Sequence, residues 1–486
     1  MQPFPSPLGP ERRGRLTLIA FLAAGFLVTS IIAVVEFVQL RAANERIEEL
    51  EAGGDQGGDG GLFGDFDDIL EDILGDTEGL FEGAEGIGSL LECLGSPLSG
   101  TGEAGTTVGA IAEQVEELRE LEFARTVEPT FLNDQEMTER VRQLFLEDYT
   151  PEIADLEQRM LTTLGAIPPG TDLRQVRADT IGQQVAGFYD TETKELVVRQ
   201  AGEELSVIDR ITLAHELTHA LTDQVLGIPL PDRVELGRED EDLAALAVVE
   251  GDATLVMQQY STSLGFEEQF ELLDPEALAA SEAGLAAAPP YLEQELLFAY
   301  EEGLNFVCGL YAEGGWEAVN RAYEEPPTST AQVLFPERYQ ERSEPVNPPD
   351  PPRPGKGWKK LAKLQFGAAN LVWLFSAPGG DRSIALQDPR GDAAEWTGGE
   401  LTLWARGDAT GVSLVLSAAG PERLCGAVGD WYSRSFDDDK GGAAAGTTTF
   451  DGPRQDAAIV CGANQPITAV GIGPDIETAI GFAAVS

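Results

Sequence analysis

Hydrophobic and polar positions divide the chain into stretches of different period. Leu16–Val35, "LTLIAFLAAGFLVTSIIAVV", is a run of 20 uncharged, mostly apolar residues, long enough for a helix to cross a bilayer. Leu40, Ala43, Ile47 and Leu50 follow at heptad-like spacing, so residues 36–52 are expected to continue the helix as a membrane-proximal stalk. Residues 53–109 are acidic and Gly-rich. Phe63, Phe66, Ile69, Leu70, Ile73 and Leu74 allow one short amphipathic helix there, and the stretch otherwise reads as a tether without chemistry.

From Ile111 the pattern becomes helical. "DQEMTERVRQLFLEDYTPEIADLEQRMLTTLGAI" carries apolar residues at helical intervals, with Asn133 as its cap and Gly165 as its stop. Two short β-prone runs flank "DTETK", which predicts a hairpin over Gln184–Arg199. "SVIDRITLAHELTHALTDQVL" predicts a helix capped near Ser206. "EDEDLAALAVVEGDATLVMQQYSTSL" predicts another, with acidic residues at its positive end. Helix continues to about Tyr323, Ser343–Gly357 is a Pro-rich loop, and short alternating runs dominate from about Ala377. The expected fold class is α+β. A mostly helical domain with a small hairpin or sheet spans 110–417, and a small β-rich portion of unknown role spans 418–486.

Charge narrows the environment. Asp+Glu number 84 against Lys+Arg 32, a net charge of −52, which repels nucleic acid and anionic headgroups. Arg12, Arg13 and Arg15 precede the apolar run and acidic residues follow it. Residues 1–15 are therefore expected in the cytoplasm and the bulk of the chain outside it, on a single-pass anchor in the cell membrane. A cleaved signal peptide would have a shorter apolar region and a small-residue cleavage site just after it, which "EFVQLRAANERIEELEA" does not supply. Cys93, Cys308, Cys425 and Cys461 show no CxxC spacing and none lies near the apolar run, which excludes a Cys-rich zinc site and a lipoprotein. Cys425 and Cys461 share one C-terminal stretch, but four cysteines allow three pairings and the sequence does not choose.

The chain has 2 histidines, His215 and His219, both in "LAHELTHAL". Residues four apart on a helix lie one above the other, so both imidazoles can reach one metal ion, with Glu216 placed beside it. This is the arrangement of a zinc peptidase, with two His as ligands and Glu as general base. A third protein ligand is needed, and with no further His and no CxxC it is a carboxylate. Glu250, 31 positions after His219, stands in the apolar run "LAALAVVEGDATLVM", where a buried carboxylate needs a partner. Asp252, Glu235 and Glu241 fit less well.

"HELTH" with the downstream "VVEGDAT" resembles the gluzincin zinc metallopeptidases. More narrowly, "LGAIPPGTDL", "QQVAGFYDTETKELVVR", "LAHELTHALTDQ", "LAVVEGDATLVM", "FAYEEGLNFVCGLYAEGGWEAVNRAY" and "PPTSTAQVLFPERY" resemble a poorly characterised group of bacterial secreted or membrane-anchored gluzincins. The resemblance covers about Ile111 to Ser417. It implies a zincin-like catalytic domain, one zinc ion held by His215, His219 and Glu250, and Glu216 as base. Two positions depart from the pattern. Thr254 stands where thermolysin-like enzymes carry an Asp that orients a ligand His, so Asp223, Asp252 or Thr254 is expected to take that part. Phe335 stands where the relatives carry a His.

The expected activity is hydrolysis of peptide or protein substrates, with Glu216 taking a proton from zinc-activated water. The developing oxyanion needs a further donor. Tyr300 in "FAYEEG" is the first candidate, followed by Tyr189 and Arg382. The "VAGFYD" strand is expected to receive an extended peptide as an added strand. Two rivals remain: a non-catalytic zinc-binding surface module, and a zinc hydrolase of a non-peptide bond. Substrate preference, metals other than zinc and oligomeric state are left open.

Overall fold

Side-chain caps and prolines set the helix boundaries. The structure is a computed structural model that describes Cys93 and residues 104–484, apart from 201, 203, 232–235, 266–267, 269–287, 352–353, 437–439, 445 and 463–465. The expected span, stalk and most of the tether lie outside the described residues. Among those described, no helix is long and apolar enough to cross a membrane.

Helix α1 (Val108–Arg119) starts where the Thr107 side chain accepts from the Ala110 N–H. After strand β1 (Thr130–Leu132), α2 (Asp134–Asp148) opens with a capping box between Asn133 and Glu136. The expected long helix is interrupted by Pro151, which has no N–H and disfavours helical backbone at Thr150, so α3 (Pro151–Thr163) starts afresh there. Gly165, at φ +73°, turns the chain out of that stretch. Then come α4 (Leu173–Gln184), β2 (Gly187–Tyr189) and β3 (Leu196–Arg199). Helix α5 (Val207–Val225) has a second capping box, Ser206 with Asp209. Helix α6 (Glu239–Thr262) has four acidic residues in its first turn, which suit its partial positive charge. Helix α7 (Pro290–Glu324) is broken at Gly314 and at Gly315, whose φ is 61°.

Short helices α8 (Thr330–Leu334) and α9 (Pro336–Gln340) lead to β4 (Lys359–Gln365), α10 (Ala368–Ser376) and α11 (Pro389–Ala393). The remainder is β5 (Trp396–Arg406), β6 (Ala409–Ala418), α12 (Pro421–Phe436), β7 (Lys440–Ala444), β8 (Thr447–Phe450), β9 (Asp456–Cys461), β10 (Ile467–Gly473) and α13 (Ile476–Ala483). The fold is α+β, as expected.

Among the described residues the strands form two sheets. The small one has the order β1-β3-β2, with β3 antiparallel to β2 and parallel to β1. The expected hairpin is present, but α4 and not a strand occupies Gln184. The large sheet has the order β4-β5-β6-β10-β9-β8-β7, with every pairing antiparallel. It corrects the expected boundary at 417/418, because β6 pairs with β10 from Val412↔Ile472 to Ser417↔Ile467. One core also joins the two parts: Leu371 and Phe375 of α10 share it with Leu401 of β5, Leu424 of α12 and Ile472 of β10.

The start of the folded region also moves. Residue 110 falls inside α1, and Cys93, placed by expectation in the tether, is fully buried and disulfide-bonded to Cys308 of α7. The Tyr260 hydroxyl donates to the Gly105 carbonyl, 2.7 Å away, which ties the residues before α1 to α6. Cys425 and Cys461 form the second disulfide, between α12 and β9.

Candidate metal centre

Helix α5 is buried from Asp209 to Thr222, so polar side chains on it must find partners inside the protein. His215 and His219 stack edge-on, their ring centroids 4.6 Å apart, and their Nε2 atoms approach to 3.0 Å. Helix α6 brings Glu250 against them: Oε2 lies 3.3 Å from Nε2 of His215 and 3.4 Å from Nε2 of His219. His215, His219 and Glu250 form a metal-competent cluster, with one donor atom from each lying within 4.8 Å of the others. The exposures of 3%, 3% and 0% remove the cluster from bulk solvent.

Two imidazole nitrogens and a carboxylate oxygen converging at these distances repel one another unless a proton or cation lies between them. Burial pushes the Glu250 carboxyl up, but the His219 and His215 rings outweigh it and hold the group at about 2. Glu250 is therefore an ionised, buried carboxylate at neutral pH. Burial and the neighbouring His219 lower His215. Burial also acts downward on His219, but the Glu250 and Glu216 carboxylates reverse it.

Glu216 lies against the small sheet and close enough to His219 and Glu250 to interact with both. A Cβ on Gly187 would lie 2.8 Å from Cγ of Glu216 and 2.8 Å from Cγ2 of Thr212, so β2 packs this closely only because residue 187 has no side chain. Burial pushes the Glu216 carboxyl up to about 8; His219 and the Tyr189 N–H oppose this and Glu250 adds to it.

Strand β2 is an edge of its sheet. Arg199 donates to Ala186 at 2.7 Å and Asp190 donates to Glu195 at 2.8 Å. Antiparallel partners alternate between bonded and non-bonded pairs, so Phe188 is bonded to Val197 while Gly187 and Tyr189 turn their N–H and C=O groups away from β3, the Tyr189 N–H toward Glu216.

Of the candidate donors, Tyr300 reaches the cluster. It is fully buried, its ring centroid lies 6.3 Å from that of His215, and its phenol is pushed well up by burial and by Glu250 and Glu216. The Tyr189 hydroxyl instead donates to Asp223 at 2.8 Å, and Arg382 pairs with Glu293 at 2.9 Å.

The expected orienting residues are engaged elsewhere. Asp223 accepts from Tyr189 and from Lys194 Nζ at 2.5 Å. Asp252 takes Arg119 Nε at 2.8 Å and the Tyr323 hydroxyl at 2.8 Å. The Thr254 hydroxyl and both histidine Nδ1 atoms have no hydrogen-bond partner among the described residues. None of the three expected residues therefore holds a ligand ring by hydrogen bond.

Two features were not expected from the sequence: Gly187 under Glu216, and a glycine crossing beside Glu250. A Cβ on Gly251 would lie 2.2 Å from the Gly303 carbonyl oxygen, and one on Gly303 would lie 2.3 Å from that of Ala247. Glycine inside helices α6 and α7, where it costs about 1 kcal/mol relative to alanine, was the available signal.

No protein-family model matches this chain, and no curated protein and no solved structure is similar to it.

Proposed function

We propose that the chain is a zinc-dependent metallopeptidase of gluzincin type, with a zincin-like catalytic domain outside the cytoplasm, anchored in the cell membrane by residues 16–35. The observation that carries this reading is the buried convergence of His215, His219 and Glu250 on one point. Two neutral imidazoles and a carboxylate suit zinc among the common divalent ions, and three protein ligands leave a position open for reaction. A zinc ion held there polarises a carbonyl and acidifies water.

The protein's own groups supply the rest. Glu216 is the general base, next in sequence to one ligand and held by Gly187 against the edge of β2. The Gly187 backbone groups and the Tyr189 carbonyl on that edge pair with an extended peptide and fix its direction. Tyr300 donates a hydrogen bond from its phenol to the oxygen that gains charge.

Elemental analysis of the purified full chain beside Glu250→Ala tests the centre. One zinc per chain, lost or much weakened in the variant, is the expected result. Equal zinc in both overturns Glu250 as a ligand, and no metal under replete conditions overturns the centre. Glu216→Gln should keep zinc and lose peptide hydrolysis. Retained turnover would remove Glu216 from the base role.

A further inference from the structure

Strand β2 is too short to fix its own place. It has 3 residues, and of these Phe188 alone forms a bonded pair with β3, opposite Val197. Side chains alternate across a strand. Phe188 is buried in one core with Met137, Val141 and Val197, while Tyr189 belongs to the core that contains Leu213 and Leu217 of α5. Gly187 and Tyr189 therefore make up the face of β2 turned to α5.

That face is held at two points. At Gly187 a Cβ would stand 3.1 Å from Oε1 of Glu216, closer still to its Cγ and to Thr212, so the strand lies at its nearest approach to the helix there. At Tyr189 the hydroxyl donates to Oδ2 of Asp223 at 2.8 Å, and Lys194 Nζ donates to the same oxygen at 2.5 Å. Asp223 stands on α5 one turn beyond His219.

The second tie is kept against the preference of the backbone. Lys194 has φ 60°, in the left-handed region that favours glycine. The turn itself is defined by Asp190: its carbonyl accepts from the Lys194 N–H at 2.7 Å, and its carboxylate accepts from the Glu192 and Thr193 N–H groups at 2.8 and 3.1 Å. Glycine would close that turn with less strain. Lysine supplies what glycine lacks, an ammonium that reaches Asp223. Strained backbone of this kind persists where its surroundings hold it, and it gathers at functional sites.

We infer that Asp223 is a positioning residue for the hydrolysis: through Tyr189 and Lys194 it clamps β2 on α5, and so sets the gap between Glu216 and a peptide paired on the free edge. The inference rests on the peptidase reading. Asp223 acts through β2 and not on the reacting atoms. Without it the Tyr189 end of the strand can lift from α5, while Phe188 and the pairing with β3 keep the hairpin folded. A misplacement of about 1 Å at a reacting site costs up to about a hundredfold in rate.

Zinc-loaded full-length wild type, Asp223→Ala, Lys194→Gly and Lys194→Arg are compared for hydrolysis of fluorescein-labelled casein, zinc content and amide exchange over residues 186–190. Asp223→Ala should lose at least about tenfold in kcat/KM at unchanged zinc content, with faster exchange over 186–190. Lys194→Gly suits the left-handed backbone, so it should fold as well as the wild type and still hydrolyse casein more slowly. Lys194→Arg keeps the cation and should keep the wild-type rate. Wild-type hydrolysis in both Asp223→Ala and Lys194→Gly, or slow hydrolysis with unchanged exchange over 186–190, overturns the clamp alone. A zinc-loaded wild type that leaves casein intact overturns the peptidase reading and the clamp's part in it. Absence of zinc overturns the metal centre as well.

Discussion

Gly251 meets Gly303 backbone to backbone where α6 crosses α7, one residue after Glu250 and three after Tyr300. A methyl group on Gly251 would stand 2.2 Å from the Gly303 oxygen and 2.4 Å from its carbonyl carbon. The atoms in the way are main chain, so neither helix can yield by turning a side chain.

Gly251→Ala should therefore force the helices apart, at a cost of about 1–3 kcal/mol or more. Because Glu250 and Tyr300 ride on the two helices, zinc affinity should fall with stability, by about tenfold if the displacement approaches 1 Å. Chemical denaturation and competition against a chromophoric chelator measure the two effects. Wild-type values for both would mean that the crossing has slack the contacts do not suggest.

Arg119 and Asp252 form a fully buried ion pair, with Arg119 also donating to Asn320 at 2.7 Å and covering the Trp316 ring at 4.3 Å. Arg119→Met should destabilise the chain by about 3–5 kcal/mol, because it leaves the Asp252 carboxylate buried without a cation. Adding Asp252→Asn should restore much of the loss. Denaturation midpoints of the three proteins decide it, and additive losses in the double variant would contradict the pairing.

Asp240, in the first turn of α6, is buried and accepts from the Thr330 hydroxyl and N–H. Burial pushes its carboxyl up to about 6; the Thr330 bonds oppose this and Glu239 and Glu241 add to it. The folded state thus holds the proton more tightly than the unfolded chain, whose value is 3.8. Its stabilising effect is complete below pH 3.8 and is lost as pH rises through about 6, a change on the order of 3 kcal/mol. Asp240→Asn should flatten this part of the stability profile and be the more stable protein at pH 7. Parallel stability profiles would remove Asp240 as the cause.

Metal removal gives a separate check. An ion that binds only the folded chain stabilises it by about 4 kcal/mol when free zinc stands a thousandfold above its dissociation constant. Chelation should lower the thermal midpoint of the wild type and leave that of Glu250→Ala nearly unmoved. Equal shifts would place the stabilising ion elsewhere.

The sequence made the convergence of His215, His219 and Glu250 legible because its signal is local. His215 and His219 share a helical face by spacing alone, and Glu250 stands out as one carboxylate in an apolar run. Boundaries with side-chain chemistry were legible for the same reason, as at Asn133 and Ser206. Features that depend on distant pairing were not. Strand β1 has 3 residues, too few to show alternation, and exists through its pairing with β3. The β6–β10 pairing joins residues about fifty apart, so no local change of texture marks it. Asp223 and Asp252 both sat at plausible spacing from a ligand. Their partners, Tyr189 and Arg119, come from other elements, and helical periodicity says nothing of those.

The Cys93–Cys308 bond closes a loop that contains His215, Glu216, His219 and Glu250. Tension applied between the two ends of the chain passes from residue 92 through the two sulfurs to residue 309 and bypasses everything between. Helices α5 and α6 would carry none of that load while the bond holds. In a chain pulled from its two ends, His215, His219 and Glu250 would keep their spacing. Reduction of this one bond would put them in series with the force.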